Sequence, residues 1–304
     1  MLKRLIELFI PFFEFFVFGN LFVALGALCQ VCLSYQITGI PLNLKVGSIV
    51  FLSTFCTYTF SLVNFKWQSI KSDGSSRQNF IAKHYSLLKI LVILSFLGLV
   101  FLSLSLSKKT ILLLAFEAIL AFLYTQPLLF YQKKLISLRM ISGLKIWIIS
   151  FLWAITCVII PWLESIPQKL YSSLPLSSLI SSLVGIHFSE TFLMIFSMCL
   201  LFDIRDWKQD QLRKTITLVG IFGIKTSKYL AVTLLGICIV LNACINSKNQ
   251  LTAWSFNIPI IILILLAYFS NPKKSDYYFM LGVDGILISQ FLLVFAGQIL
   301  FRHS

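Results

Sequence analysis

Long apolar runs separated by short polar clusters set the pattern of this chain from one end to the other. About 20 consecutive apolar residues carry a helix across a bilayer, so the pattern predicts nine spans, at 5–32, 47–65, 88–106, 110–131, 146–163, 178–202, 229–246, 253–270 and 279–300. No polar stretch between them is long enough for a separate soluble domain. The predicted fold class is an all-α integral membrane protein, with residues 1–304 forming one polytopic domain.

Composition sharpens this picture. With 58% hydrophobic residues, 12% charged residues and a mean hydropathy of +0.92, the chain lies outside the range of water-soluble enzymes. The net charge of +14 raises the question of a nucleic-acid partner. Such a partner needs its cations gathered on one water-facing surface, whereas here they sit in clusters between apolar runs, and no nucleic acid is expected. Their role is topological. With the N-terminus inside, 19 of the 25 Lys and Arg fall on the inner side, which by the positive-inside rule places the N-terminus in the cytoplasm and the C-terminus outside. A bacterial plasma (inner) membrane is the expected location.

The first apolar run follows Lys3 and Arg4 as a secretion signal would, but Glu7 and Glu14 interrupt it and no small-residue cleavage site follows, so it is read as a retained helix. Cys29 and Cys32 form a lone C-x-x-C with no second pair to complete a zinc site, so packing is the expected role of the seven cysteines.

The densest chemistry lies at the inner end of the sixth span, in Asp203-Ile204-Arg205-Asp206-Trp207-Lys208-Gln209-Asp210. Three of the chain's 11 acidic residues fall within eight positions. Offsets of three and seven put the carboxylates on one helical stripe. Such oxygen donors suit Mg²⁺, which binds through one or two carboxylates together with substrate phosphates. A solvated helix end, with Asp206 and Asp210 paired to Lys208, Arg213 and Lys214, is the alternative.

That run, continued through Gln211, Leu212, Arg213, Lys214 and Thr215, resembles the second aspartate motif of the UbiA-type membrane prenyltransferases. Tyr124-Thr125-Gln126-Pro127, followed by Lys133 and Lys134, is similar to the tyrosine, proline and basic segment of that family's central cytoplasmic loop. The resemblance implies a nine-helix bundle with a central cavity open toward the membrane. It also implies Mg²⁺-dependent transfer of a prenyl group from an isoprenoid diphosphate to an aromatic or lipid acceptor dissolved in the bilayer. In that reading Asp203, Asp206 and Asp210 hold the metal, and Tyr124, Lys66, Lys133, Lys134 and Lys208 contact the diphosphate.

The first aspartate motif departs from the family. Where two or more carboxylates are expected after the second span, the chain reads Asn64-Phe65-Lys66-Trp67-Gln68, with Asp73 the one acid of the segment. Asn64, Gln68 and Asp73 are the candidates for completing the metal sphere, while Lys66, Lys71 and Arg77 are alternative direct contacts to the diphosphate. A basic segment lying on anionic lipid is the competing reading. The stretch from Arg77 to Tyr85 resembles a loop in a divergent branch whose first motif is also degenerate. His84 within it is a candidate base, set against an ordinary interfacial histidine.

Of the acids inside spans, Glu14, Glu117, Glu190 and Asp284 are the functional candidates, because charges there face a bundle interior or a wet cavity. Glu190 and His187 are too far from Asp203 to share its site. Asp284 is better placed than these to approach the cavity, but a structural partnership with Lys273 or Lys274 is the expected reading for it. Two other functions stay open: a catalytically silent lipid-binding or scaffold protein of the same fold, and a small-molecule transporter, against which no matched pair of Gly/Pro-broken helices is found.

Overall fold

The computed structural model describes residues 2–64, 76–131, 134–141, 143–166, 183–212, 215–245 and 250–301. Its elements are α1 (Leu2–Phe18), α2 (Leu21–Thr38), α3 (Leu44–Asn64), α4 (Ser76–Ser103), α5 (Lys108–Thr125), a hairpin of β1 (Leu129–Tyr131) and β2 (Lys134–Ile136), α6 (Leu144–Ala154) and α7 (Ile160–Ser165). There follow α8 (Leu183–Leu212), α9 (Leu218–Ile245), α10 (Gln250–Phe269) and α11 (Gly285–Phe301).

The helices form a ring left open between α4 and α5. In turn α2 packs on α3 and α3 on α4, while on the other side α6 packs on α8, α8 on α9, α9 on α10, α10 on α11, and α11 back on α2. Leu33, Ile49, Met194, Leu200, Ile204, Leu235, Leu263 and Leu287 are fully buried between them. Leu97, Phe101, Leu112, Phe116 and Tyr268 point outward, the arrangement of a bundle whose outer solvent is hydrocarbon. Among the described residues seven helices are long and apolar enough to cross a bilayer, joined by a shorter apolar helix over Ala253–Phe269. α5 is as long as α2 but carries Lys108, Lys109 and Glu117 in its 18 residues.

The expected first span, 5–32, is corrected to two helices. The chain breaks at Gly19 and Asn20, where Asn20 takes a left-handed backbone with φ 65°, a conformation Asn tolerates better than most L-residues. A Cβ at Gly19 would collide with the Phe15 carbonyl. The Asn20 side chain donates to Thr59 Oγ1 at 3.3 Å, tying the turn to α3. Val17, Phe18 and Asn20 are all buried, so the turn leaves no polar gap in the sequence and the apolar run reads through it.

Two further departures shape the interior. Residues 144–165 cross as one rod, but Ile155–Ile159 widens to a π-helix just before Pro161, the insertion by which a helix absorbs a proline's lost hydrogen bond. A second π-segment, Tyr278–Val283, precedes α11. α4 begins about a dozen residues before the expected 88 and bends at His84, whose φ is −108°.

Candidate functional site

Inside the ring is a cavity of about 1050 Å³. Its upper walls are apolar and aromatic, including Tyr58, Trp153 and Phe202. Trp153 Nε1 donates to the Tyr58 hydroxyl at 2.9 Å, locking the two rings edge to face. Ile93, Phe96, Ile119 and Phe122 line the cavity and are also about half exposed on the outside of the bundle. The cavity therefore opens sideways between α4 and α5.

One end of the cavity is charged. Arg77 comes from the start of α4, Tyr124 from the end of α5, Arg139 from the turn after the hairpin and Lys145 from the first turn of α6. Arg205, Asp206 and Gln209 come from the last turns of α8, with Asp276 and Asp284 from the segment that enters α11. These elements all terminate at the same end of the bundle, which is why residues so far apart in sequence meet there.

Each acid of the α8 stripe has its own environment. Asp203 is buried at 1% side-chain exposure and takes Lys145 Nζ on Oδ1 at 2.6 Å, while its buried Oδ2 has no hydrogen-bond partner. Asp206 lines the cavity and takes two parallel bonds from its neighbour Arg205, at 2.8 and 3.1 Å, a bidentate geometry that holds both groups rigidly. The Arg205 guanidinium also lies 4.9 Å from the centroid of Phe202. Asp210, one turn further along, is half-buried, and Lys208 is exposed on the far side of the helix.

The three carboxylates thus share a stripe but do not converge. Among the described residues no three His, Cys, Asp or Glu side chains gather at one point. A stripe only aligns its members; the nearest cation captures each, Lys145 for Asp203 and Arg205 for Asp206.

Of the other expected residues, Tyr124 lines the cavity beside this charged end. Asn64 is the last residue of α3 and Lys134 the first of β2. Lys66, Gln68, Asp73 and Lys133 lie outside the described residues. Asp284 lines the cavity rather than pairing with the lysine expected for it: Lys274 sits over the Tyr278 ring at 5.1 Å. His84 packs against Phe15 and Phe80, with ring centroids at 6.0 and 4.7 Å, a wedge in the bend of α4.

Arg139, Lys145, Arg205 and Asp276 were not legible as site residues. In the sequence the three cations are indistinguishable from charges that set topology, and Asp276 follows two lysines in a short polar turn. Burial, and an Arg205 guanidinium close by, lower Arg77 to about 10, with Asp206, Asp276 and Asp284 acting in the other direction. It remains a cation throughout the neutral range.

A second polar cluster lies on the same helix, away from the cavity. His187 Nδ1 stands 3.2 Å from Glu190 Oε2, and Gln290 donates to Glu190 Oε1 at 3.2 Å. Gln30 donates to Gln290 at 3.1 Å, and Ser34 Oγ is 2.9 Å from His187 Nε2. Gln30, His187, Glu190 and Gln290 are wholly buried, and Ser34 nearly so.

No protein family's sequence profile matches the chain, and no curated protein matches it in sequence. Solved structures do. A UbiA homolog from Archaeoglobus fulgidus bound to GPP and Mg²⁺ superposes with a TM-score of 0.63 at 11% identity, covering 93% of this chain and 99% of that one. The apo structure of a UbiA homolog from Aeropyrum pernix K1 gives 0.61 at 12%, covering 95% and 98%. A structure concerned with digeranylgeranylglyceryl phosphate synthase gives 0.50 at 17%, covering 93% and 94%. The chain has the UbiA-type membrane prenyltransferase fold, and the likeness extends over almost its whole length.

Proposed function

We propose that the protein transfers a prenyl group from an isoprenoid diphosphate to an acceptor dissolved in the membrane, with Mg²⁺ at the charged end of the cavity. The observation that carries this reading is the joining of two unlike environments in one cavity. Cations and carboxylates suited to a metal-bridged diphosphate stand at one end, and an aromatic chamber suited to an isoprenoid chain opens to lipid from there.

The donor set fits a divalent ion. Asp206 lines the cavity and Asp203 keeps a buried oxygen without a partner, and Mg²⁺ uses one or two carboxylates with the rest of its sphere from water and phosphate. Asp203 and Asp206 would hold it, with Asp210, Asn64, Gln68 and Asp73 the candidates for support from the flanking segments. When bound, the ion stabilises charge on the leaving diphosphate. Lys145, Arg205, Arg77 and Arg139 supply direct charge-assisted contacts at the same end, in the role also assigned to Tyr124, Lys66, Lys133 and Lys134, while Lys208, on the far side of α8, is dropped from it. As the prenyl carbon–oxygen bond breaks, the diphosphate stays with these cations. The faces of Tyr58, Trp153 and Phe202 shelter the allylic cation, and the acceptor's nucleophilic atom bonds to the prenyl carbon while its proton passes to the released diphosphate or to water.

The ion pairs already closed on Asp203 and Asp206 favour one second reading, a binding protein of the same fold that holds prenyl diphosphates without turnover. Pyrophosphate release from geranyl diphosphate, measured on the purified full chain with membrane lipid extract and Mg²⁺, separates the two. Release that stops with chelator and in Asp206→Asn supports transfer. Tight binding with no release supports the silent protein.

A further inference from the structure

The cavity holds one polar point that the diphosphate reading does not use. Glu117 lies on α5 two turns before Tyr124, on the same face of the helix, and so about 10 Å deeper into the cavity than the charged end. It is 8% exposed and lines the cavity. Around it the wall is apolar, with Leu114, Ala118, Ala121 and Leu152. A carboxyl group at this depth is costly to keep unless something answers it.

Its protein partner is Thr156, in the π-segment that widens the α6 rod. Thr156 Oγ1 donates to Glu117 Oε1 at 3.0 Å and also reaches the Leu152 carbonyl oxygen at 2.7 Å. Among the described residues Thr156 is the one side chain that hydrogen-bonds Glu117. The hydroxyl has one proton for two acceptors. Either it goes to Glu117, or it goes to Leu152 and a protonated Glu117 donates back to Thr156. An ionised Glu117 presents only lone pairs at Oε2, whereas a neutral Glu117 that keeps its Oε1 bond from Thr156 carries its proton on Oε2, so the group that answers it in either state must both give and accept a hydrogen.

The route to this point fixes the rest of the chemistry. Glu117 and Ile119, the latter part of the side opening toward lipid, line the same cavity, so a ligand entering by that opening comes dissolved in the membrane. A carboxylate-bearing ligand would meet a like group in a low-dielectric wall. A neutral hydroxyl, donor and acceptor in one group, satisfies both conditions. We infer that Glu117 and Thr156 form the acceptor subsite of the cavity and select a membrane-dissolved alcohol or phenol by its hydroxyl. This rests on the prenyl-transfer reading for the word acceptor, but the subsite itself does not.

The test uses the full chain in lipid nanodiscs and dicyclohexylcarbodiimide, an apolar reagent that labels carboxyl groups at membrane depth, with the modified residue read by mass spectrometry. Labelling is expected at Glu117 and absent in Glu117→Gln. Farnesol should lower it at least fivefold, and farnesyl methyl ether, of nearly the same shape but without the donor, less than twofold. Equal protection by alcohol and ether, or no labelling of Glu117 in folded protein, overturns the subsite. Geranyl diphosphate binding is followed in the same samples. If it persists while the alcohol preference is missing, only the subsite fails. If it is missing while the preference persists, the prenyl-transfer reading fails and the hydroxyl site stands.

Discussion

The helix α8 carries two ionisable clusters in the interior, and their contrast separates structure from chemistry. Near its start His187 and Glu190 close on Gln290, Gln30 and Ser34, a network sealed from the cavity. Near its end Asp203 and Asp206 close on Lys145 and Arg205, and here Lys145, Arg205 and Asp206 all face the cavity. About 24 Å of helix separates Glu190 from Asp206. Both clusters are paired, so burial of charge alone does not mark a site. What distinguishes the second is that a ligand can reach its groups, and that its pairs can be exchanged for ligand contacts.

The contrast breaks first where an ion pair loses one member. Lys145→Met leaves Asp203 buried without its cation, a loss of about 4 kcal/mol by the usual cost of an orphaned buried charge, read as a lowered unfolding midpoint in detergent. The double variant Lys145→Met with Asp203→Asn should regain most of that stability and still fail to bind geranyl diphosphate. Recovery of both would make the pair a purely structural device.

At the closed cluster the effects should divide the other way. Glu190→Leu strands His187 and Gln290, with an expected loss of about 3 kcal/mol. The protein that remains folded should bind geranyl diphosphate as the unmodified chain does. A binding defect at constant folded fraction would show that the two clusters communicate along α8. The smallest change is Ser34→Ala, about 1 kcal/mol from one lost hydrogen bond to His187, visible in unfolding and absent from binding.

The apolar rhythm made the membrane class and most helices legible, because in lipid each crossing must satisfy its own backbone and so appears as an unbroken run. It misread the turn at Gly19 and Asn20 for the same reason: a buried turn carries no polar cluster, and a lone Asn20 bonded to Thr59 does not interrupt the apolar run. The acidic stripe was legible as a position, at the end of a helix and the edge of the bilayer. Its directions were not, since periodicity places Asp203 and Asp206 on one face but does not say that Lys145, 58 residues earlier, takes one of them. Arg139, Lys145, Arg205 and Asp276 come together only when four segment ends meet. Glu117 was visible as an acid in a span, but its partner in the widened turn at Thr156 depends on a π-helix that sequence spacing does not signal.

The account rests on a metal-bridged diphosphate at Asp206, and a calorimetric titration of geranyl diphosphate into the full chain in detergent tests it most directly. With Mg²⁺ present the wild type should bind. Chelation, or Asp206→Asn with Mg²⁺ present, should each weaken binding by about 100-fold, roughly 2.7 kcal/mol, with the fold intact. Equal affinity with and without Mg²⁺, unchanged in Asp206→Asn, would contradict it.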